Sequence, residues 1–449
     1  MESQHELELK SDQSPFASRL ADLVASDDVI SDIDEKRCQS LLHDVQEDMK
    51  TLDNRIDEVE RVLLTLRDIR ERKAKQARFY RSVTSSVRRL PFEVLSKIFR
   101  EACPTFTIGP HSVHFDCSLK TMKPPWTLTE VSVHWRQVAI SIPELWSSIR
   151  ITSDMKNKHL PLLHLQIHRS NTSLLTVVFH HVRRPLLRLL VAELLPSSSR
   201  WETLCLQDIN IDCFDPIKGN LAALHTLLYH TRDRADPTTV FAVTPKLRTL
   251  YIYQLSLLDS LQGLPTSQIT NLFTIGFSAQ NRVGRLTRFS ALEQCSLRLS
   301  IATRVKPIDV ILPTLRMLEL DVGDEDPTKA LDQLTLPALQ ALKLCGKRVV
   351  APLSSLLRRS QCALRDLYLY DPPMDAQEIF PALDESPSLE CLTLDGVATE
   401  TEIAIVTELA KRCDLIPSLQ FLHFRWRGKG SSLLQSLRDA RPQLRVLAG

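Results

Sequence analysis

PKLRTLYI (245–252), PTLRMLEL (313–320), PALQALKL (337–344), PSLECLTL (387–394) and PSLQFLHF (417–424) are five copies of one unit. The unit is L-x-x-L-x-L, entered by a proline two residues before its first leucine. Its second and third apolar residues alternate with other residues, the period of a strand with one buried face. Weaker copies extend the series. The first apolar residue of each copy falls at Trp201, Leu224, Leu247, Leu272, Leu292, Leu315, Leu339, Leu364, Leu389, Leu419 and Leu444, mostly 23 to 25 residues apart. Two more, Trp146-x-x-Ile149-x-Ile151 and Leu174-x-x-Val177-x-Phe179, carry the series back to residue 146. So short a unit cannot bury its apolar face alone, so stacked copies must share one continuous core. Between copies, Ala351–Arg359, Asp375–Leu383 and Glu400–Lys411 have helical composition and spacing, which predicts a strand plus a helix per unit.

In period and pattern the series resembles leucine-rich repeats, although the asparagine of the standard repeat is missing. The resemblance implies a solenoid over residues 152–449, with the fourth and sixth positions of each copy in the core. The residues between and just after them then face outward along the sheet. That places Tyr251, Tyr253, Glu319, Asp321, Lys343, Tyr368, Tyr370, His423 and Arg425 outside. Tyrosine offers a large contact area at little entropic cost. Tyr251, Tyr253, Tyr368 and Tyr370, with Asp321 and Arg425, are therefore the candidate residues for binding a protein substrate. Ordinary strand propensity would also explain the tyrosines.

Upstream, RRLPFEVLSKIFRE (88–101) opens a helix at Leu90-Pro91, with Val94, Leu95, Ile98 and Phe99 in one apolar stripe. A second helix is predicted from Thr127, where Thr127 and Glu130 fit a capping box. Its stripe is Leu128, Val131, Trp135, Val138 and Ile142, and Pro143 ends it. The strings LPFEVLSKIF and VSVHWRQVAISIPELWSSIRI resemble the F-box, as found in proteins of mushroom-forming fungi. The matching residues include Leu90, Pro91, Glu93, Val94, Leu95, Ile98, Phe99, Val131, Ser132, Trp135, Arg136, Pro143, Leu145 and Trp146. The resemblance covers residues 88–151 and implies docking on a Skp-type adaptor, and through it on a cullin scaffold. Carried over, the adaptor-binding residues are Leu90, Pro91, Val94, Leu95, Ile98, Phe99, Val131 and Trp135.

Before the box, residues 35–80 contain neither proline nor glycine. Cys38, Leu42, Val45, Met49, Leu52, Ile56, Val59, Leu63 and Leu66 recur in alternating steps of four and three. That is a coiled-coil seam, which Arg70 and Lys73 end. It predicts a homodimer, parallel or antiparallel; a long helix folded back on its own chain is the other reading. Residues 1–34 are acidic and expected to be disordered. The fold class expected is thus α then α/β: a coiled-coil helix, a small helical F-box and a leucine-rich-repeat-like solenoid of strand-helix units.

Composition narrows the function. The formal net charge is only +2, but residues 1–60 hold 17 acidic and 6 basic residues, and residues 61–100 hold 12 basic and 3 acidic. The basic stretch reads as a solvated helix end and not a nucleic-acid patch, since it has few aromatics to stack bases. Ten scattered cysteines without a CxxC pair suggest reduced thiols in the cytoplasm or nucleus. No secretory signal, membrane span or phosphate-binding glycine loop is found. Cys103, His111, His114 and Cys117 are too loosely spaced for a zinc motif, and His180-His181 lacks a nucleophile or carboxylate dyad at recognisable spacing. The chain is therefore expected to be no enzyme, to hold no metal or cofactor, and to act by binding. It serves either as a substrate receptor of a Skp–cullin–F-box ubiquitin ligase or as a non-ligase scaffold using coiled coil and repeats.

Overall fold

The computed structural model describes residues 19, 29–84, 86–103, 117–231, 236–276, 283–299, 309–323, 327–346, 349–370, 376–424 and 431–448. The chain divides into two units, Met1–Leu90 and Pro91–Gly449. The first is dominated by helix α1, Asp32–Thr84, 53 residues long. Ser31 precedes it and its hydroxyl accepts the Asp34 N–H at 3.3 Å, an N-cap arrangement. No described helix is long and apolar enough to cross a membrane.

The second unit opens with a small helical module, α2 (Phe92–Ala102) and α3 (Val133–Ile140). The predicted capping box at Thr127 does not form: Thr127 is itself helical and its side chain caps nothing. It precedes a one-turn helix, Leu128–Val131, which stops at the extended Ser132. Ser132 then caps α3, its hydroxyl accepting the Trp135 N–H at 3.1 Å. A serine in extended backbone is a better N-cap than a threonine already wound into a turn. The break also divides the predicted stripe, leaving Val131 exposed while Val138 and Ile142 are buried.

Thirteen strands then form one sheet in which each pairs in parallel with the next member along the chain, while two short strands, Val310–Ile311 and Leu334–Thr335, pair with each other apart from it. The thirteen are β1 (Ser148–Ile151), β2 (Leu175–His180), β3 (Trp201–Gln207), β4 (Thr226–His230), β5 (Thr249–Ile252), β6 (Asn271–Thr274) and β7 (Gln294–Arg298). The series continues with β8 (Met317–Asp321), β9 (Ala341–Cys345), β10 (Asp366–Tyr370), β11 (Cys391–Asp395), β12 (Phe421–Phe424) and β13 (Arg445–Ala448). The N-terminal long helix followed by this parallel sheet of strand-helix units is the expected solenoid. The connections are helical at both ends of the series: α4 (Leu160–Arg169) and α5 (Arg184–Leu194) early, then α6 (Leu353–Ser360), α7 (Ala376–Asp384), α8 (Thr399–Lys411) and α9 (Ser431–Ala440) late. Between them run 3₁₀ turns such as Ile211–Ile217 and Leu255–Asp259.

Register shows what stacks. Leu204, Leu227, Leu250, Leu272, Cys295, Leu318, Leu342, Leu367, Leu392 and Leu422 are successive partners and all are buried. Each buried leucine contributes about 1.5–3 kcal/mol over an exposed one, so this row is a main source of stability. It also corrects one repeat boundary. Leu272 sits opposite Leu250 and is the fourth residue of its copy; the copy starts at the buried Ile269. Isoleucine at the first position and a polar Asn271 before the leucine disguise the unit. In the last copy Val446 pairs with Leu422, so Leu447 falls on the other face and is 57% exposed.

Turns out of the strands use left-handed backbone. His181, Asp208, Gly346 and Gly396 directly follow β2, β3, β9 and β11, all with positive φ. At Gly346 the constraint is also steric: a Cβ there would come within 2.6 Å of the Gly323 carbonyl oxygen.

The helical module is joined to the sheet through tryptophans. Trp146, fully buried, donates its indole N–H to the Ala139 carbonyl of α3 at 2.9 Å. Its ring meets Trp126 edge to face at 5.0 Å. The Arg169 guanidinium, at the end of α4, lies 4.4 Å from the Trp146 ring centroid and 5.3 Å from that of Trp126. Gln166 donates to the Trp146 and Ser148 carbonyls at 3.2 and 2.8 Å. Module, first strand and first solenoid helix therefore share one core.

Candidate binding surfaces

The eight residues expected to meet an adaptor do not all lie at the surface. Leu95 and Phe99 are fully buried, and Phe99 packs against Trp135 with ring centroids 4.9 Å apart. This corrects the assignment of Leu95 and Phe99 to a contact surface. Four residues apart on α2, they share the face that packs on α3, and a module this small needs its largest groups there. Trp135 is half-buried for the same reason. Pro91, Val94, Ile98 and Val131 are exposed, joined by Phe92 and Val133. Leu90 is half-buried at the end of the first unit.

On the sheet, the face opposite the leucine row carries a second row. Its successive partners are Arg150, Val178, Cys205, Leu228, Tyr251, Phe273, Ser296, Glu319, Lys343, Tyr368, Thr393, His423 and Leu447. The row has two halves of different chemistry. Val178, Cys205, Leu228 and Tyr251 form a buried apolar cluster, against which Phe273 and Ile275 pack. From Ser296 to His423 the row is polar and charged, and it ends on the exposed Leu447.

Tyr251, expected to face outward and free, is thus only 9% exposed and stacks on Phe273 at 4.6 Å and 13°. The correction has a steric origin: each residue of the row rests on its register partner, so a large ring flanked by Leu228 and Phe273 is covered from both sides. Tyr253 is half-buried over Gly276, where a Cβ would come within 2.4 Å of its ring. Tyr368 and Tyr370 remain half-exposed. The Lys343 ammonium lies 5.3 Å from the Tyr368 ring centroid, and burial followed by the neighbouring Cys391 and Asp366 pushes the Tyr368 phenol up to about 12. Five strand steps separate the two tyrosine pairs, roughly 24 Å at the usual spacing. Asp321 pairs with Arg298 at 3.7 Å and accepts the Gly323 N–H at 3.2 Å, so it holds its own turn as well as facing the row. Arg425 lies outside the described residues.

A polar cluster at the exits of β2–β4 was not foreseen. Asp208 stands between two imidazoles, His181 at 3.3 Å and His230 at 3.4 Å. The His230 ring meets Tyr253 at 4.6 Å, and His180 meets His181 at 4.3 Å. His180-His181 alone reads as a surface pair, because Asp208 and His230 are contributed by the next two repeats. Repeat spacing does hold the signal, since His180, Gln207 and His230 are register partners. Cys103 and Cys117 line a cavity of about 200 Å³ with Ser118, Glu144 and Arg150. Burial raises the Cys103 thiol to about 11, against the pull of Arg150, and raises Cys117 as well. His111 and His114 lie outside the described residues, among which no group of three His, Cys, Asp or Glu is placed to hold a metal ion.

No known family's sequence profile matches the chain, and no curated protein matches it. Among solved structures it is similar to an internalin of Listeria monocytogenes, at 14% identity over 75% of this chain and 99% of that one, with a TM-score of 0.35. It is also similar to a protein in the Drosophila Toll–Spätzle complex, at 13% identity over 68% of this chain and 46% of that one, TM-score 0.32. A Bacteroides fragilis protein shares 16% identity over 46% of this chain and 66% of its own length, TM-score 0.34. The architecture rests on the chain's own strand order and register and draws nothing from these likenesses.

Proposed function

We propose that the chain is a substrate-recognition subunit of a Skp–cullin–F-box ubiquitin ligase, with the helical module docking on the Skp-type adaptor and the repeat sheet binding the target. One observation carries the reading. Val94 and Ile98, at positions matching the F-box pattern, are 42% and 43% exposed beside the exposed Pro91, while Leu95 and Phe99 fill the module's core. Exposed aliphatic groups at helical spacing beside a well-filled core suit a protein partner. The polar second half of the sheet row, with Lys343, Tyr368 and Tyr370, suits a target better than the buried first half does. The chain supplies no chemistry in this reading; ubiquitin transfer belongs to the partner subunits, in the cytoplasm or nucleus.

The test is co-purification of the full chain with a Skp-type adaptor. The wild-type chain retains the adaptor, and Val94→Asp with Ile98→Asp loses it while keeping the circular dichroism of the folded protein. No adaptor binding by the wild type, or equal binding by the double variant, refutes the proposal.

A further inference from the structure

Helix α1 is a charge dipole built along an apolar seam. Leu42, Val45, Met49, Leu52, Ile56, Val59, Leu63 and Leu66 are all 43–66% exposed. Seam residues in strict alternation of three and four steps call for a partner helix that supercoils with α1. The charges say which. Residues 32–60 hold ten acidic and four basic side chains, and residues 61–84 hold eight basic and two acidic. The halves carry opposite net charges of equal size, −6 and +6.

We propose that α1 pairs with α1 of a second copy of this chain in antiparallel orientation. In a parallel pair, acidic half would face acidic half and basic half would face basic half. Reversing one helix opposes unlike halves. The apolar seam accepts either orientation, and the charged layers beyond it decide between them. In antiparallel pairing an a position meets a d position, and one register seats all eight apolar residues on apolar partners. It places Leu42 against Leu66, Val45 against Leu63, Met49 against Val59 and Leu52 against Ile56. The next two layers in that register put Cys38 against Arg70 and Glu35 against Lys73. Arg70 and Lys73, which end the apolar seam, thus become a specificity device: Lys73 finds a carboxylate of the second copy. In the parallel pair, Glu35, Arg70 and Lys73 would each face their own like-charged copies at the seam. The antiparallel pair therefore places the two Thr84 ends at opposite ends of a helix about 80 Å long.

The full chain tests this. Light scattering is expected to give twice the 51.0 kDa of one chain. When Leu42→Cys and Leu66→Cys chains are mixed and oxidised, peptide mass spectrometry is expected to find residue 42 joined to residue 66. Neither variant alone should join to itself at the new cysteine. Glu35→Lys and Lys73→Glu should each weaken the dimer on the order of tenfold, because each places two like-charged contacts in the pair. The double exchange should restore it. A monomer, 42–42 and 66–66 links, or failure of the double exchange to rescue each overturns the proposal. Leu52→Asp should give a folded monomer, since no seam residue is buried within the chain.

Discussion

Replacing Trp146 tests whether the helical module and the repeats are one body. The side chain is fully buried, so Trp146→Ala removes a large apolar group and leaves a cavity, at about 3–5 kcal/mol. Its N–H to the Ala139 carbonyl at 2.9 Å adds about 1 kcal/mol. The Arg169 guanidinium over its ring, 4.4 Å away and partly buried, adds roughly another 1 kcal/mol. The combined loss is about 5–7 kcal/mol against a usual total margin of about 5–15 kcal/mol. Trp146→Phe keeps most of the apolar volume and loses the hydrogen bond and part of the cation–π contact, so it should cost about 2 kcal/mol. A cycle with Arg169→Met should give a coupling near 1 kcal/mol. Urea unfolding followed by far-ultraviolet circular dichroism measures the wild type, the two Trp146 variants, Arg169→Met and the double variant that closes the cycle. An alanine variant within about 1 kcal/mol of wild type, or a coupling of zero, would refute the claim that module and sheet share a core through this residue.

Ser132→Ala removes the α3 cap and should destabilise by about 1 kcal/mol, whereas Thr127→Ala at the unformed cap should change unfolding little; the reverse order would contradict the helix start at Ser132. Thiol titration of the native chain should label the exposed Cys413 quickly and spare the buried Cys205 and Cys295 until denaturant is added; early labelling of either would mean the rows open readily. The Tyr368 phenol, raised from 10.0 to about 12, favours its neutral form in the folded state. Its contribution to stability is therefore complete below pH 10 and lost as pH rises toward 12. The difference in phenolate absorbance between wild type and Tyr368→Phe measures this, and half-ionisation at or below pH 10 would show that the ring is not desolvated.

Two features could be read from residue order because each depends on one period. The L-x-x-L-x-L units dictated a parallel stack, since identical short strands joined by helical returns can bury their leucines only against one another. The four-three alternation from Cys38 to Leu66 dictated a long helix, along which Leu42 to Leu66 of the seam stand exposed. Tertiary structure decided what depends on neighbours remote in sequence. Leu95 and Val94 are adjacent and both apolar, yet packing on α3 buries the first and leaves the second at the surface. Tyr251 and Tyr368 occupy the same position in their repeats; the first lies between Leu228 and Phe273, the second between Lys343 and Thr393. One is core and the other is surface because a strand's side chain takes its environment from the two strands beside it. Asp208 meets His181 and His230 for the same reason. A repeat announces its own fold, and its chemistry is completed only by the repeats stacked on either side.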